Sequence, residues 1–203
     1  MIGIINYGLG NVSAFGNIYK KLGVDYKYIV QKKDLEGVKK LILPGVGAFD
    51  YAMKCFNDSG LREDIDHLVI EKKIPVLGVC VGLQIMGHSS SEGVSTGLAW
   101  LNGHVIKFDQ NTLPAGYPLP HMGWNSLNIQ KEDPILEGLK NSKFYYLHSY
   151  YFEGKNSTDI IGTCSYGDEF CCVVKKDNIY GMQCHPEKSH SYGVKFLNNF
   201  SKL

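Results

Sequence analysis

The chain has 203 residues, of which 44% are hydrophobic and 20% charged, and its 21 basic and 20 acidic side chains leave a net charge of +1. Those are globular proportions for one ample domain, and near-neutrality excludes a non-specific nucleic-acid or anionic-membrane binder, which needs a basic excess. Arg62 is the only arginine, so bidentate guanidinium clamps on phosphate are nearly unavailable.

The first six residues, Met1-Ile2-Gly3-Ile4-Ile5-Asn6, lack the charged start and small-residue cleavage site of a signal peptide and read as an opening strand. Asn11 can cap a helix that runs to about Leu22, with Gly23 closing it. Residues 26–30 and Lys40-Leu41-Ile42-Leu43 are the next strand candidates, the second ending at Pro44-Gly45. Helical stretches around 49–57 and 61–72 precede a fourth strand, Val76-Leu77-Gly78-Val79. Apolar runs separated by helices predict a parallel sheet with both faces covered.

After Gly103 short alternating segments dominate: 104–108, 124–129, 144–147, 160–165, 171–175 and 179–184. A Pro/Gly-rich loop is expected over 112–120, and an amphipathic helix over 192–200 closes the chain. There are no repeats and no linker, so residues 1–203 are expected to form a single α/β domain with a central mixed, largely parallel sheet flanked by helices. No run approaches the roughly 18 apolar residues of a membrane span. None of the six cysteines forms C-x-x-C, and a chain this long does not need disulfide staples, which predicts a reducing, cytoplasmic setting. Adjacent Cys171 and Cys172 are expected to pack on alternate faces of a strand.

Three segments carry chemistry. Gly78-Val79-Cys80-Val81-Gly82 puts a cysteine at the end of a buried strand, with glycines on both flanks and a helical pattern behind it. That is the form of a nucleophile elbow, in which a tight strand-to-helix turn lifts the nucleophile clear of the sheet and a helix N-terminus favours a thiolate. The alternative is a buried, inert cysteine among packing glycines. In Gly181-Met182-Gln183-Cys184-His185-Pro186-Glu187 a strand ends in H-P-E, where parallel sheets place their sites. His185 can act as the base that a cysteine nucleophile needs, and Glu187 can orient the imidazole and support its cationic form. Leu43-Pro44-Gly45-Val46-Gly47 ends a third strand in a turn whose N–H groups can aim at a developing oxyanion. Gly8-Leu9-Gly10-Asn11 lacks the third glycine and the later acidic residue of a dinucleotide site. His67, His88, His104 and His190 show no metal-ligand spacing, so no metal and no cofactor are expected.

Together these segments resemble the class I glutamine amidotransferases of the triad type: G-V-C-V-G-L-Q is similar to that family's nucleophile motif and H-P-E-K-S to its His/Glu motif. Asn6-Tyr7-Gly8-Leu9-Gly10-Asn11, P-G-V-G at 44–47, Pro120-His121-Met122-Gly123-Trp124-Asn125 and Tyr145-Tyr146-Leu147-His148-Ser149-Tyr150 extend the resemblance over the whole chain. They narrow it to the glutaminase subunits that serve histidine biosynthesis. The resemblance implies that Cys80, His185 and Glu187 are a triad that hydrolyses L-glutamine through a γ-glutamyl thioester. The Val81 N–H and the Gly45-Val46-Gly47 turn would form the oxyanion hole, and Gln84, His148, Ser149 and Tyr150 would hold glutamine. It further implies a heterodimer with a (β/α)8-barrel cyclase that receives the ammonia and passes it to a phosphoribulosyl-formimino ribonucleotide. Asn11, Trp124, Tyr145 and Lys188 would lie at that interface. Asn6, where many relatives carry an acidic residue, and Ala99-Trp100-Leu101-Asn102 depart from the pattern. They leave open a paralogous subunit whose barrel partner feeds ammonia to a sugar-modifying amidotransferase for surface glycans. A γ-glutamyl hydrolase or cysteine peptidase would share the elbow but need no barrel partner. A catalytically dead subunit would have lost one of Cys80, His185 and Glu187.

Overall fold

A computed structural model describes residues 1–111 and 113–203; Thr112, the first residue of the expected loop, lies outside them. The opening strand is β1 (Ile2–Ile5), followed by α1 (Val12–Leu22). The side-chain oxygen of Asn11 caps α1 by accepting from the Ala14 N–H at 3.2 Å, and Gly23 ends the helix in the left-handed conformation at φ 66°. Next come β2 (Tyr26–Ile29), β3 (Lys40–Gly45), α2 (Phe49–Asp58) and α3 (Arg62–Asp66), which continues as a wider turn through Glu71. β4 (Val76–Cys80) runs directly into α4 (Val81–Ile85). β3 does not stop before Pro44-Gly45, as the sequence suggests, but runs through it. Proline lacks only an N–H, and Pro44 needs none here because β1 has already ended.

The second half supplies β5 (Gly103–Lys107), β6 (His121–Ser126), β7 (Asn128–Ile129), β8 (Lys143–His148) and β9 (Tyr150–Gly154). They are followed by β10 (Ile160–Tyr166), β11 (Asp168–Lys176), β12 (Ile179–Met182) and α5 (His190–Lys202). The expected strand over 124–129 is two strands. Leu127 is buried and donates its N–H to Ser142 O, which turns the chain from β6 into a different sheet. β9 carries no alternating apolar signal and was not expected.

Eight strands form one sheet in the order β2-β1-β3-β4-β12-β11-β10-β7, and β5-β9 and β6-β8 form two antiparallel ribbons. The first five strands of the order are parallel and the rest antiparallel. Ile4, Leu41, Ile42, Leu43, Val76 and Leu77 on the central strands are fully buried, as expected where helices cover both faces of a parallel sheet. Here α1 packs with α5 and α2 with α4. All six cysteines are free thiols, and Cys171 and Cys172 are both buried. No helix among the described residues is long and apolar enough to cross a membrane.

Candidate active site

The centre of the sheet places three strand ends in one row. Gly45 on β3 stands opposite Cys80 on β4, and β12 pairs Met182 with Val79, so that the chain beyond β12 leaves the sheet beside Cys80. Cys80 joins β4 to α4 at φ 55°, ψ −115°. A non-glycine residue at positive φ stores about 1–3 kcal/mol and needs surroundings that hold it there. The surroundings are backbone packed on backbone. A Cβ on Gly82 would stand 1.9 Å from Leu43 O, and one on Gly45 would stand 2.2 Å from Gly82 N. The two glycine-bearing segments are therefore one close-packed unit, with the N–H of Val81 among the first-turn donors that have no acceptor within the helix. α4 is only five residues long, so its dipole is a small term, and the main cation near the sulfur is a side chain.

That side chain is His185. Its Nδ1 lies 2.8 Å from Glu187 Oε1, both side chains are almost fully buried, and no hydrogen-bond partner for Glu187 Oε2 exists among the described residues. Burial opposes a charged imidazole, but the Cys80 sulfur and the Glu187 carboxylate outweigh it and raise His185 to about 10. The backbone that carries the ring is also fixed. The His185 N–H donates to Tyr145 O at 2.9 Å, and Ser189 Oγ donates to His185 O at 2.6 Å while accepting from the Tyr145 N–H at 3.0 Å. β8 and the H-P-E turn are thus laced together.

Cys80, Val81 and His185 open into a cavity of about 290 Å³ that also includes Val46, Gly47, Gln84, His148, Ser149, Tyr150 and Lys188. Glu92, Pro120 and Leu147 complete it; Pro120 and Leu147 lie within the motifs quoted above, and only Glu92 carries no sequence signal. Glu92 sits in a Ser/Gly-rich loop, where its Oε2 accepts from the Phe49 N–H at 2.8 Å. A larger hollow of about 820 Å³ around Leu127, Ile129 and Leu136 contains none of Cys80, His185 and Glu187. Gln84 is buried inside the site and is not a helix-surface amide. His148 uses both ring nitrogens: Nδ1 donates to Tyr150 O at 2.8 Å, and Nε2 accepts from His121 Nδ1 at 3.1 Å. Its contribution to the cavity therefore runs through the Tyr150 carbonyl that it holds. His121 is clasped between the rings of Tyr146 and Tyr166. Burial lowers His121 to about 4, and burial and the neighbouring His121 lower His148 to about 3. Among the described residues no group of three or more His, Cys, Asp or Glu side chains is arranged to hold a metal ion.

The remaining four expected residues lie around the cavity mouth or beyond it. Trp124 is 46% exposed and stacks on the His190 ring at 5.0 Å, and Tyr145 lies opposite it across the β6-β8 ribbon. Lys188 Nζ stands 5.8 Å from the centre of the Tyr145 ring. Met122 and Leu147, also paired across the ribbon, are exposed, so its outer face is a continuous apolar strip beside the cavity. Asn11 is exposed, and its side-chain oxygen is taken up by the α1 cap.

The glutamine amidotransferase class-I family matches residues 4–202. Over 204 residues and the full length of both proteins, the chain is 46% identical to the imidazole glycerol phosphate synthase subunit HisH of Leptospira borgpetersenii. The same subunit of Bdellovibrio bacteriovorus is also 46% identical over the full length of both chains. A solved glutamine amidotransferase structure superposes with TM-score 0.76 at 18% identity, covering 100% of this chain and 99% of that one. PurLQS from Thermotoga maritima superposes with TM-score 0.74 at 16% identity, covering 98% and 96%. At such identities the structural likeness concerns the fold alone.

Proposed function

This chain belongs to the class I glutamine amidotransferase family and, within it, to the HisH subunits of imidazole glycerol phosphate synthase, and from that membership we propose how its site works. The activity is that of a glutaminase subunit in histidine biosynthesis, beside a cyclase subunit. The histidine-pathway name of the relatives disfavours the surface-glycan alternative. The observation that carries the catalytic reading is the buried His185–Glu187 pair beside a cysteine held at positive φ, with Cys80 and His185 facing one cavity.

In this reading Cys80 Sγ attacks the side-chain carbonyl carbon of L-glutamine, and negative charge builds on the carbonyl oxygen. The Val81 N–H and an N–H of the Gly45-Val46-Gly47 turn stabilise that oxygen. The C–N bond breaks as His185, held by Glu187, hands a proton to the leaving ammonia, which leaves a γ-glutamyl thioester on Cys80. A water then gives its proton to His185 and attacks the thioester; the C–S bond breaks and glutamate leaves. Gln84, Ser149, Tyr150 and His148 shape the glutamine pocket, and the Glu92 carboxylate suits the substrate ammonium. The ammonia enters a partner of (β/α)8-barrel fold, docked as a heterodimer on the strip formed by Met122, Trp124, Tyr145 and Leu147, with Asn11 and Lys188 at its margins. The pair works in the cytoplasm and needs no cofactor on this subunit. The partner's bound ribonucleotide completes the oxyanion hole by reorienting the P-G-V-G peptide.

The test mixes the purified chain with the cyclase of the same organism and follows glutamate release with and without the phosphoribulosyl ribonucleotide. Stimulation by that ligand, abolished by Cys80→Ala, is the expected result. Full activity of Cys80→Ala would overturn the nucleophile assignment, and full activity without partner or ligand would overturn the gated oxyanion hole.

A further inference from the structure

Cys80 has a neighbour on the flank opposite Gly45. With Met182 level with Val79 on β12, the next residue, Gln183, reaches the sulfur. It is fully buried and anchored by a hydrogen bond of 2.9 Å from its own N–H to Cys172 O. A buried carboxamide is tolerated where its polar ends are paired, and both ends of Gln183 are. Its Oε1 lies 3.3 Å from Gln84 Nε2, and its Nε2 lies 3.9 Å from Cys80 Sγ. The direction of this chain follows from donor chemistry alone. The Tyr150 carbonyl can only accept, so the group facing it at 2.9 Å is the Gln84 NH2. That NH2 also meets the oxygen of Gln183, which turns the Gln183 NH2 toward the sulfur.

We propose that Gln183 is a further catalytic residue: its carboxamide, oriented by Gln84, donates a hydrogen bond to the Cys80 sulfur and favours the thiolate. The proposal rests on Cys80 being the nucleophile, as argued above. His185 gives up its proton to the leaving ammonia and so cannot support the sulfur at every stage. Gln183 is neutral and keeps its proton throughout. It supports the attacking thiolate, interacts weakly with the thioester sulfur, and supports the thiolate again when water expels it. Sequence alone does not show this, since an amide near a strand end reads as an ordinary packing residue.

The test is alkylation of Cys80 by iodoacetamide in the full chain, followed by mass spectrometry of the Cys80 peptide from about pH 5 to 9, a range over which protein thiols commonly ionise. In Gln183→Met, which keeps the length and removes the donor, the midpoint should rise by about one pH unit, up to an about tenfold slower reaction at fixed pH on the rising limb. The plateau rate should not fall, because a more basic thiolate is the stronger nucleophile. A profile that coincides with that of the unsubstituted chain would overturn the proposal. The unsubstituted chain gives a second reading that needs no variant to fold. The side-chain amide resonance of Gln183 should move with the same midpoint as the alkylation, and a resonance that stays fixed would equally overturn it. The nucleophile reading fails separately, if Cys80→Ala retains ligand-stimulated glutaminase activity. An inactive Cys80→Ala with an unshifted Gln183→Met profile removes only the role of Gln183.

Discussion

Gly45→Ala adds one methyl group where backbone packs on backbone in the site. The new Cβ would lie 2.2 Å from Gly82 N and 2.7 Å from Val81 C, where ordinary contact begins at 3.4 Å, so the two segments must separate by about 1.2 Å (3.4 − 2.2). Both facing atoms are backbone, so no rotamer change relieves the clash. Overpacking of this kind costs about 1–3 kcal/mol, which for a chain of this size lowers Tm by about 2–12 °C. The effect on catalysis is larger than the effect on stability, because the atoms pushed apart belong to both halves of the proposed oxyanion hole. A displacement of about 1 Å at the reacting centre costs on the order of 100-fold. The assay is ligand-stimulated glutamate release with the cyclase present, beside thermal unfolding of the same preparation. A kcat within about threefold of the unsubstituted value, with Tm unchanged, would refute the claim that this backbone contact sets the geometry.

Tyr7→Phe removes the hydroxyl that donates to Pro44 O at 2.7 Å while leaving the ring packed on Phe56. With the β1–β3 pairing ending at Ile42, that hydroxyl anchors the last residue before the Gly45-Val46-Gly47 turn. Losing a bond of about 1–1.5 kcal/mol should lower kcat about 5–10-fold with little change in the KM for glutamine, read by steady-state kinetics. Acid should destabilise the chain through His121 and His148. Both are held neutral when folded, at about 4 and about 3, and charge when unfolded. Stability is therefore fully present above about pH 6.5 and is lost as pH falls toward those values, by up to about 1.4 kcal/mol per unit for each ring. Denaturant unfolding between about pH 7 and 4.5 should show this slope, and His121→Phe should make it shallower. Trp124→Ala should weaken cyclase binding by at least about 30-fold if Trp124 anchors the interface, and titration calorimetry with the cyclase measures that directly.

The first half of the fold was legible because parallel strands buried on both faces are unbroken apolar runs with helices between them. Boundaries failed where a local rule yielded to tertiary pairing. Pro44 stayed in β3 because its missing N–H had no acceptor to serve. The 124–129 run broke where Leu127 turned inward, and β9 escaped notice because its pairing with β5 alone places it. Within the site, Cys80, His185 and Glu187 stood out because reactive groups at strand ends are unusual. Gln183, Glu92, Tyr7 and His121 did not, since each acts through hydrogen bonds to groups distant in sequence. Only the resemblance marks Trp124 as a surface residue, and it lies on the exposed strip beside the cavity.

The pairing of β4 with β12 sets a timetable for biosynthesis. Cys80 and Gln183 are 103 positions apart, so a ribosome releases Cys80 long before Gln183, His185 and Glu187. During that interval β4 has β3 on one side and an open edge on the other, in a chain that can already form β1 to β4. An unpaired central strand is an invitation to wrong partners, while a thiol without His185 lacks the base that the proposed mechanism needs. A nascent chain is therefore chemically harmless but physically vulnerable. The insertion of β12 ends both conditions in one step.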